Sequence, residues 1–380
     1  MSTSPSPSSL PQLQAALSNE QLGYWQQRVL ESERLHVRAG GSKTALSAGA
    51  TLDLSELDGV VEYQPDEYTF SALAGTPLRD IEAMLAANGQ YLPFDPPLVE
   101  AGATLGGTVA AGLSGPGRLR YGGVRDFFLG VRFIDGSGQL AYGGGKVVKN
   151  AAGFDLPKLM VGALGQFGLM LELTFKVFPR YQAACTLVLQ PASPQEALRL
   201  MQSLAASQLE AASLDYLAPH ELYVRLVGLA EALPARLERL QAFLRSHAGL
   251  AAQSLAQSRV LADEEEQALW RELREFRWLP SEHGLLKAAV TPRQFLALED
   301  VLAERDLPRH YSVAANVAWF AWPDGQEAAL QQVLQDLGLP ALAVLGTWTK
   351  PLLGVSLEQA FASRLRHVLD PQQKFSLSPR

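Results

Sequence analysis

Eighteen of the 32 glycines of this 380-residue chain fall between positions 101 and 180, about a fifth of its length. Glycine inside regular structure costs roughly 0.5–1 kcal/mol relative to alanine, so it accumulates where turns are tight or where backbone must approach something closely. The densest stretch reads Gly102-Ala103-Thr104-Leu105-Gly106-Gly107-Thr108-Val109-Ala110-Ala111-Gly112-Leu113-Ser114-Gly115. Side chains this small make no hydrophobic core of their own. They do allow main-chain amides to line a long, flat ligand and its diphosphate. A loop-rich strand bundle whose glycines serve turns alone is the competing reading.

The rest of the chain is ordinary globular sequence, 47% apolar and 19% charged, long enough for two domains without disulfide or metal staples. With 32 basic against 39 acidic side chains, the net charge of −7 argues against a nucleic-acid partner, which requires a positive footprint. Cys185 is the single cysteine, so redox chemistry must come from an added cofactor. Residues 1–14 are Ser/Pro-rich with no early positive charge and read as a frayed tail, not a targeting peptide. The longest apolar run, Leu159 to Leu171, is interrupted by Gln166 and stopped by Glu172, short of the roughly 18 residues a membrane span needs. The expectation is a soluble cytoplasmic protein that meets a membrane only through partners.

Helix punctuation divides the chain into two textures. Ser18 and Gln21 have capping-box spacing ahead of a helix from Glu20 to about Arg34, and Leu35 to Arg38 follows as a short strand. Thr76-Pro77 opens another helix that Asn88-Gly89 ends. From Leu169 to Val177, apolar and polar residues alternate as in a half-buried strand. Beyond 180, capping spacings at Ser193, Thr291 and Asp324 alternate with strand-like runs Leu222 to Val227, Leu285 to Val290 and Ala341 to Leu345. Ala230 to His247 reads as an amphipathic structural helix. No sequence repeat is evident. The fold class expected is α+β, with domains at 15–180 and 181–355 and a C-terminal helix and tail at 356–380.

Three segments of the first domain make sense as one cofactor cradle. Gly40-Gly41-Ser42-Lys43 follows a strand, where adjacent amides, a hydroxyl and an ammonium can converge on phosphate oxygens. It lacks the spacing of a nucleoside-triphosphate loop, and no G-x-G-x-x-G opens a helix nearby. The small-residue stretch above is the second segment, continuing to Arg118, Tyr121-Gly122 and Arg125-Asp126. The third runs through Gly153-Phe154-Asp155-Leu156 and Gly162-Ala163-Leu164-Gly165-Gln166-Phe167-Gly168.

In order and spacing, residues 15–180 resemble flavoproteins of the vanillyl-alcohol oxidase and p-cresol methylhydroxylase (PCMH) type. Gly143-Gly144-Gly145-Lys146-Val147-Val148-Lys149-Asn150-Ala151-Ala152-Gly153-Phe154-Asp155-Leu156 is similar, more narrowly, to the smaller FAD-binding subunit of bacterial glycolate oxidases. The resemblance implies a two-subdomain PCMH-type FAD-binding domain followed by an α+β cap domain. It implies that Gly40, Gly41, Ser42, Lys43, Thr104, Leu105, Gly106 and Gly107 face the pyrophosphate. Ala110, Gly112, Ser114, Gly115, Tyr121 and Gly122 then line the flavin, with backbone contacts from Gly165, Gly168, Leu169 and Met170. Arg125 and Asp126 read as a structural pair holding their turn. Relatives that bond flavin covalently carry a histidine where this chain has Ser42 and Lys43, so the FAD expected is dissociable. His36 reads as a structural histidine, and Cys185 as a small buried residue.

Oxidising a 2-hydroxy acid requires a base for the hydroxyl proton and a cation for the carboxylate. The histidine-rich metal signature of single-chain relatives is missing: His220, His247, His283, His310 and His367 stand far apart. His310-Tyr311 beside Arg309, and His283, are the best of these candidates, and no catalytic residue or metal ligand is assigned. The C-terminus reads Asp370-Pro371-Gln372-Gln373-Lys374-Phe375-Ser376, where relatives carry Asn after the Phe. The resemblance therefore implies a subunit of a glycolate oxidase-like complex, partnered by a larger flavoprotein subunit and an iron–sulfur subunit. A stand-alone FAD dehydrogenase of a sugar, lactone or hydroxy acid is one alternative. A non-catalytic assembly subunit with a vestigial flavin site is another.

Overall fold

The computed structural model describes residues 17–145, 155–246, 255, 257–356, 360–375 and 377. The tail at 1–14, most of the stretch from Gly145 to Phe154, His247 and Ser376 lie outside the described residues. The chain divides into two compact units: Met1–Ser114 with Gly123–Arg180 and Glu358–Arg380, and Gly115–Gly122 with Tyr181–Leu357.

The first unit opens with the helix Asn19–Glu31, started by the expected capping box: Ser18 Oγ accepts from Gln21 N at 3.2 Å, and Gln21 Oε1 accepts from Ser18 N at 3.0 Å. Val37–Arg38 then pairs in parallel with Leu52–Asp53. The main sheet has five antiparallel strands in the order Val60–Gln64, Thr69–Leu73, Leu169–Lys176, Phe128–Ile134, Leu140–Gly144. Its central strand alternates as the sequence predicts, with Leu171, Leu173 and Phe175 buried between half-buried Glu172, Thr174 and Lys176. Phe175 stacks between Phe70 at 5.8 Å and Phe128 at 5.1 Å, giving the sheet an aromatic centre.

Two helix starts differ from expectation. The helix Leu78–Ala87 is preceded by Pro77, and the Thr76 hydroxyl bonds Gly59 through both its N–H and its carbonyl instead of capping. The helix Glu327–Asp336 starts after Gln326 with no side-chain cap, so Asp324 does not serve. In each case turn geometry, which spacing does not reveal, places the side chain elsewhere.

The C-terminal helix Ala360–Leu369 belongs to the first unit. Past it, Asp370 accepts from the amides of Lys374 and Phe375, and buried Lys374 donates Nζ to Val29 O at 2.8 Å and Leu30 O at 3.0 Å in the last turn of the first helix. Phe375 joins a core cluster with Trp25, Val29 and Leu35. The Asp-Pro-x-x-x-Phe motif thus serves as a clasp between the chain's two ends.

The second unit holds a nine-stranded, wholly antiparallel sheet. Its chain order is strand Ala183–Leu189, helix Pro194–Ala205, strands Ser213–Ala218 and Glu221–Gly228, helix Leu233–Ser246, strand Arg259–Ala262. After the helix Asp263–Arg274 the same βαββαβ order recurs: strand His283–Ala289, helix Pro292–Glu304, strands Arg309–Ser312 and Val317–Pro323, helix Glu327–Asp336, strand Pro340–Leu345. Within each half the spatial order is fourth, first, third, second, the ferredoxin-like arrangement. The two second strands, Ser213–Ala218 and Arg309–Ser312, pair with each other and make the seam. The unit is therefore a structural duplication that the sequence does not display.

Alternation across the seam separates two faces. On one, Tyr216 stacks on Tyr311 at 6.3 Å, Phe295 of the helix Pro292–Glu304 lies 4.4 Å from Tyr311, and Arg309 forks onto Glu299 at 2.5 and 2.9 Å. On the other are Asp215, His310, Ser312, Trp319 and Lys287, with Thr186, Arg225 and Trp270 farther along. The run Trp319-Phe320-Ala321-Trp322 is a core strand.

Candidate functional site

In the first unit, loops of small residues are held together because side chains are absent. The strand Val37–Arg38 delivers Gly40 against the turn at Gly102: a Cβ on Gly40 would stand 1.9 Å from Gly102 O. Gly106 is as tightly placed, its missing Cβ 2.8 Å from both the Cβ and the carbonyl oxygen of Ala74. Thr104 caps the helix Leu105–Ala111, its hydroxyl accepting from Gly107 N at 3.3 Å. Leu105 N donates to Thr76 O and Gly106 N to Ala74 O, which fixes the start of that helix on the sheet.

Gly112, at φ +62°, ends the helix in the left-handed conformation, and a Cβ there would stand 3.0 Å from Gly162 Cα. Gly162 N then donates to Val109 O, and Leu164 N to Ala110 O, so the third segment runs beside the second. Gly168, at φ +140°, sits against Ile134 O and leads Leu169 and Met170 into the central strand, where both are buried.

What these contacts leave uncovered is backbone. Gly41, Ser42, Gly102, Gly107, Ala110, Gly112 and Gly165 are half-buried, while Leu105, Gly106, Thr108 and Val109 beneath them are buried. A Cβ built on Gly41, Gly162 or Gly165 meets open space. A strip of accessible main chain over a packed floor suits a flat dinucleotide, and FAD fits that description. Lys43 is buried, its Nζ 3.3 Å from Ser42 Oγ, and its carbonyl starts the short helix Thr44–Ser47.

Ser114 is buried and its hydroxyl accepts from Val124 N at 2.9 Å. Gly115, Tyr121 and Gly122 belong to the second unit, unlike the other expected cofactor residues. Asp126 accepts from Gly123 N at 2.8 Å and so holds its turn alone, while Arg125 points outward and is exposed. The expected Arg125–Asp126 pairing is therefore corrected: the carboxylate finds a nearer backbone donor. His36 is buried with Nε2 2.9 Å from Leu46 O, as a structural histidine should be. Cys185 is buried, and burial, with Glu266 nearby, pushes its thiol pKa up, away from nucleophilic chemistry.

Of the histidines, His220 and His367 are exposed and His283 half-buried. His310 is different. It is 2% exposed, its Nε2 lies 2.7 Å from Asp215 Oδ2, and Ser312 Oγ donates to the other Asp215 oxygen at 3.0 Å. Asp215 is 95 residues from His310 in sequence, and only pairing at the seam brings them together, so no spacing rule finds it. Lys287 was also missed, although a lone charge inside Leu285-Leu286-Lys287-Ala288-Ala289 is a readable signal. Burial, and then the Arg118 guanidinium, lower its pKa to about 8. Among the described residues no group of three or more His, Cys, Asp or Glu is placed to hold a metal ion. No described helix is long and apolar enough to cross a membrane.

Comparison with known proteins agrees with this geometry. Residues 28–142 match the family described as FAD binding domain. Glycolate oxidase subunit GlcE of Escherichia coli (strain K12) is 40% identical over 217 residues, 56% of this chain and 61% of that one. Glycolate oxidase subunit GlcD of Bacillus subtilis (strain 168) is 26% identical over 177 residues, covering 47% of this chain and 37% of its own. The D-lactate dehydrogenase of Anaerostipes hadrus is 27% identical over 169 residues, 43% and 35% of the two chains. The matches thus span between 35% and 61% of these relatives' lengths. Among solved structures, an alkyldihydroxyacetonephosphate synthase superposes with a TM-score of 0.65 at 14% identity, covering 95% of this chain and 74% of that one, a likeness of fold.

Proposed function

We propose that this chain, whose residues 28–142 match the FAD binding domain family, is the FAD-binding subunit of a glycolate oxidase-like complex. The observation that carries this is the strip of uncovered glycine backbone, taken together with the 40% identity to GlcE. In this reading Gly40 to Lys43 and Thr104 to Gly107 hold the pyrophosphate, and Ala110, Gly112, Ser114, Gly165, Gly168, Leu169 and Met170 support the ring. Bound FAD supplies a two-electron acceptor, and the substrate class is a short 2-hydroxy acid such as glycolate or D-lactate.

The chain's own residues orient and enclose. With serine and lysine at positions 42 and 43, FAD is held without a covalent bond. A larger flavoprotein subunit and an iron–sulfur subunit complete the electron path, and the complex sits in the cytoplasm, reaching the membrane through those partners. Purified protein should be yellow, and acid should release the flavin quantitatively. A colourless protein that stays colourless after incubation with FAD removes this reading. Co-purification from the native host checks the complex: recovery of the chain without a second flavoprotein subunit, together with fast glycolate turnover by it alone, would favour a stand-alone dehydrogenase.

A further inference from the structure

We propose that Arg366 is a positioning residue for the cofactor: through the side chain of Gln166 it holds the loop 162–168 in the shape that presents backbone to FAD. This role rests on the proposed function and deepens it, by adding the C-terminal helix to the parts of the chain that set flavin affinity. Four residues of the loop have positive φ: Gly162 at +76°, Leu164 at +53°, Gly165 at +76° and Gly168 at +140°. Glycine adopts such angles freely. Leu164 does so only at a cost, so contacts from outside must keep the loop from relaxing.

Those contacts differ along the loop. Up to Leu164 they are main-chain bonds: Gly162 N donates to Val109 O at 2.9 Å and Leu164 N to Ala110 O at 2.8 Å, both in the helix Leu105–Ala111. At Gln166 a side chain takes over. Gln166 is 9% exposed, its N and Nε2 both donate to Ala163 O, at 3.0 and 3.2 Å, and its Oε1 accepts from Arg366 Nη2. An amide oxygen facing a guanidinium makes a charge-assisted bond, stronger than its neutral counterparts. Arg366 is itself fixed. It lies in the last turn of the helix Ala360–Leu369, where Asp370 N donates to its carbonyl at 2.7 Å and Gly136 N donates to Leu369 O at 2.7 Å, tying the helix end to a turn of the main sheet. Its Nε is buried without a partner among the described residues, so no second acceptor there competes with Gln166 for that nitrogen's guanidinium. The two residues stand 200 apart in sequence, yet both belong to the first unit.

The full-length chain, stripped of flavin, is titrated with FAD and followed by flavin fluorescence, and hydrogen exchange is measured on the flavin-free chain for the peptide spanning 162–168. R366A should weaken FAD binding at least tenfold and quicken exchange in that peptide at least tenfold, while R366K should stay within threefold of wild type in both. Q166A should weaken FAD to a similar extent. The double variant R366A/Q166A should lose no more than threefold beyond R366A alone, because the two side chains act as one unit. Should R366A not fold, R366M takes its place with the same expectations. A merely structural role for Arg366 would lower the urea midpoint and leave the affinity of the folded chain within twofold of wild type, and that result overturns the proposal. So do losses that multiply in the double variant. Failure of wild type to take up FAD overturns the flavoprotein-subunit reading and this role with it, whereas wild-type uptake that R366A leaves unchanged overturns this role alone.

Discussion

Replacing Gly40 by alanine isolates the argument that the cofactor cradle exists because side chains are missing. The new Cβ would stand 1.9 Å from Gly102 O, where carbon and oxygen ordinarily keep about 3.3–3.6 Å. The 40–43 loop and the 102–107 turn must therefore separate by about 1.5 Å, and backbone on both sides leaves no flexible side chain to yield. Overpacking of this kind costs about 3 kcal/mol, and if the displaced amides hold FAD the affinity should fall by roughly 100-fold. Two further glycines calibrate the effect. At Gly41 a Cβ meets open space, but φ is +66°, so G41A should cost only about 1–2 kcal/mol of torsional strain. At Gly23, inside the first helix with nothing within 4 Å, G23A should stabilise by up to about 1 kcal/mol. Urea denaturation measures the three stabilities, and the ratio of flavin to protein absorbance after gel filtration measures retention. G40A with full flavin and a stability within about 0.5 kcal/mol of wild type would refute the reasoning.

Other expectations follow from buried charge. E299A removes the partner of Arg309 at 2.5 Å and an acceptor of the Tyr311 hydroxyl at 2.8 Å, and should destabilise by about 3–5 kcal/mol in the same denaturation assay. K287M should stabilise by about 1–3 kcal/mol at pH 7, because an ammonium whose pKa falls to about 8 on folding works against folding while charged. The unfolded chain holds that proton more tightly, so wild-type stability should rise between pH 8 and 10.5 relative to K287M, and parallel titrations of the two check the sign. Lys374→Met should cost about 2–4 kcal/mol by leaving the Val29 and Leu30 carbonyls without their buried donor, read as a lower midpoint for the first unit. Cys185 should resist a thiol reagent in the native protein and react once urea exposes it.

What the sequence disclosed was local or periodic. The box at Ser18 and the alternation in Leu169–Lys176 each concern residues a few positions apart, and both form as read. The glycine-rich segments were legible because absent side chains leave few alternatives. Thr76 was misread because its hydroxyl finds Gly59, 17 residues away, and a spacing rule looks only three residues ahead. The duplicated βαββαβ halves went unseen because such a half needs only a pattern of buried positions, which many sequences satisfy without resembling each other. Asp215 and His310 meet through a strand pairing across 95 residues, and an isolated aspartate between Leu214 and Tyr216 gives no hint of its partner.

The clasp at Lys374 and Phe375 sets an order of events during synthesis. A nascent chain usually completes its leading domain while the next is being made. Here the leading unit waits, because the cluster around Trp25 and Leu35 lacks Phe375, and the first helix lacks its capping amine, until all of Tyr181–Leu357 of the other unit has left the ribosome. Throughout that interval the glycine loops have only a partly closed floor, and cofactor capture becomes an event after translation. A cell short of FAD would therefore accumulate finished but empty chains.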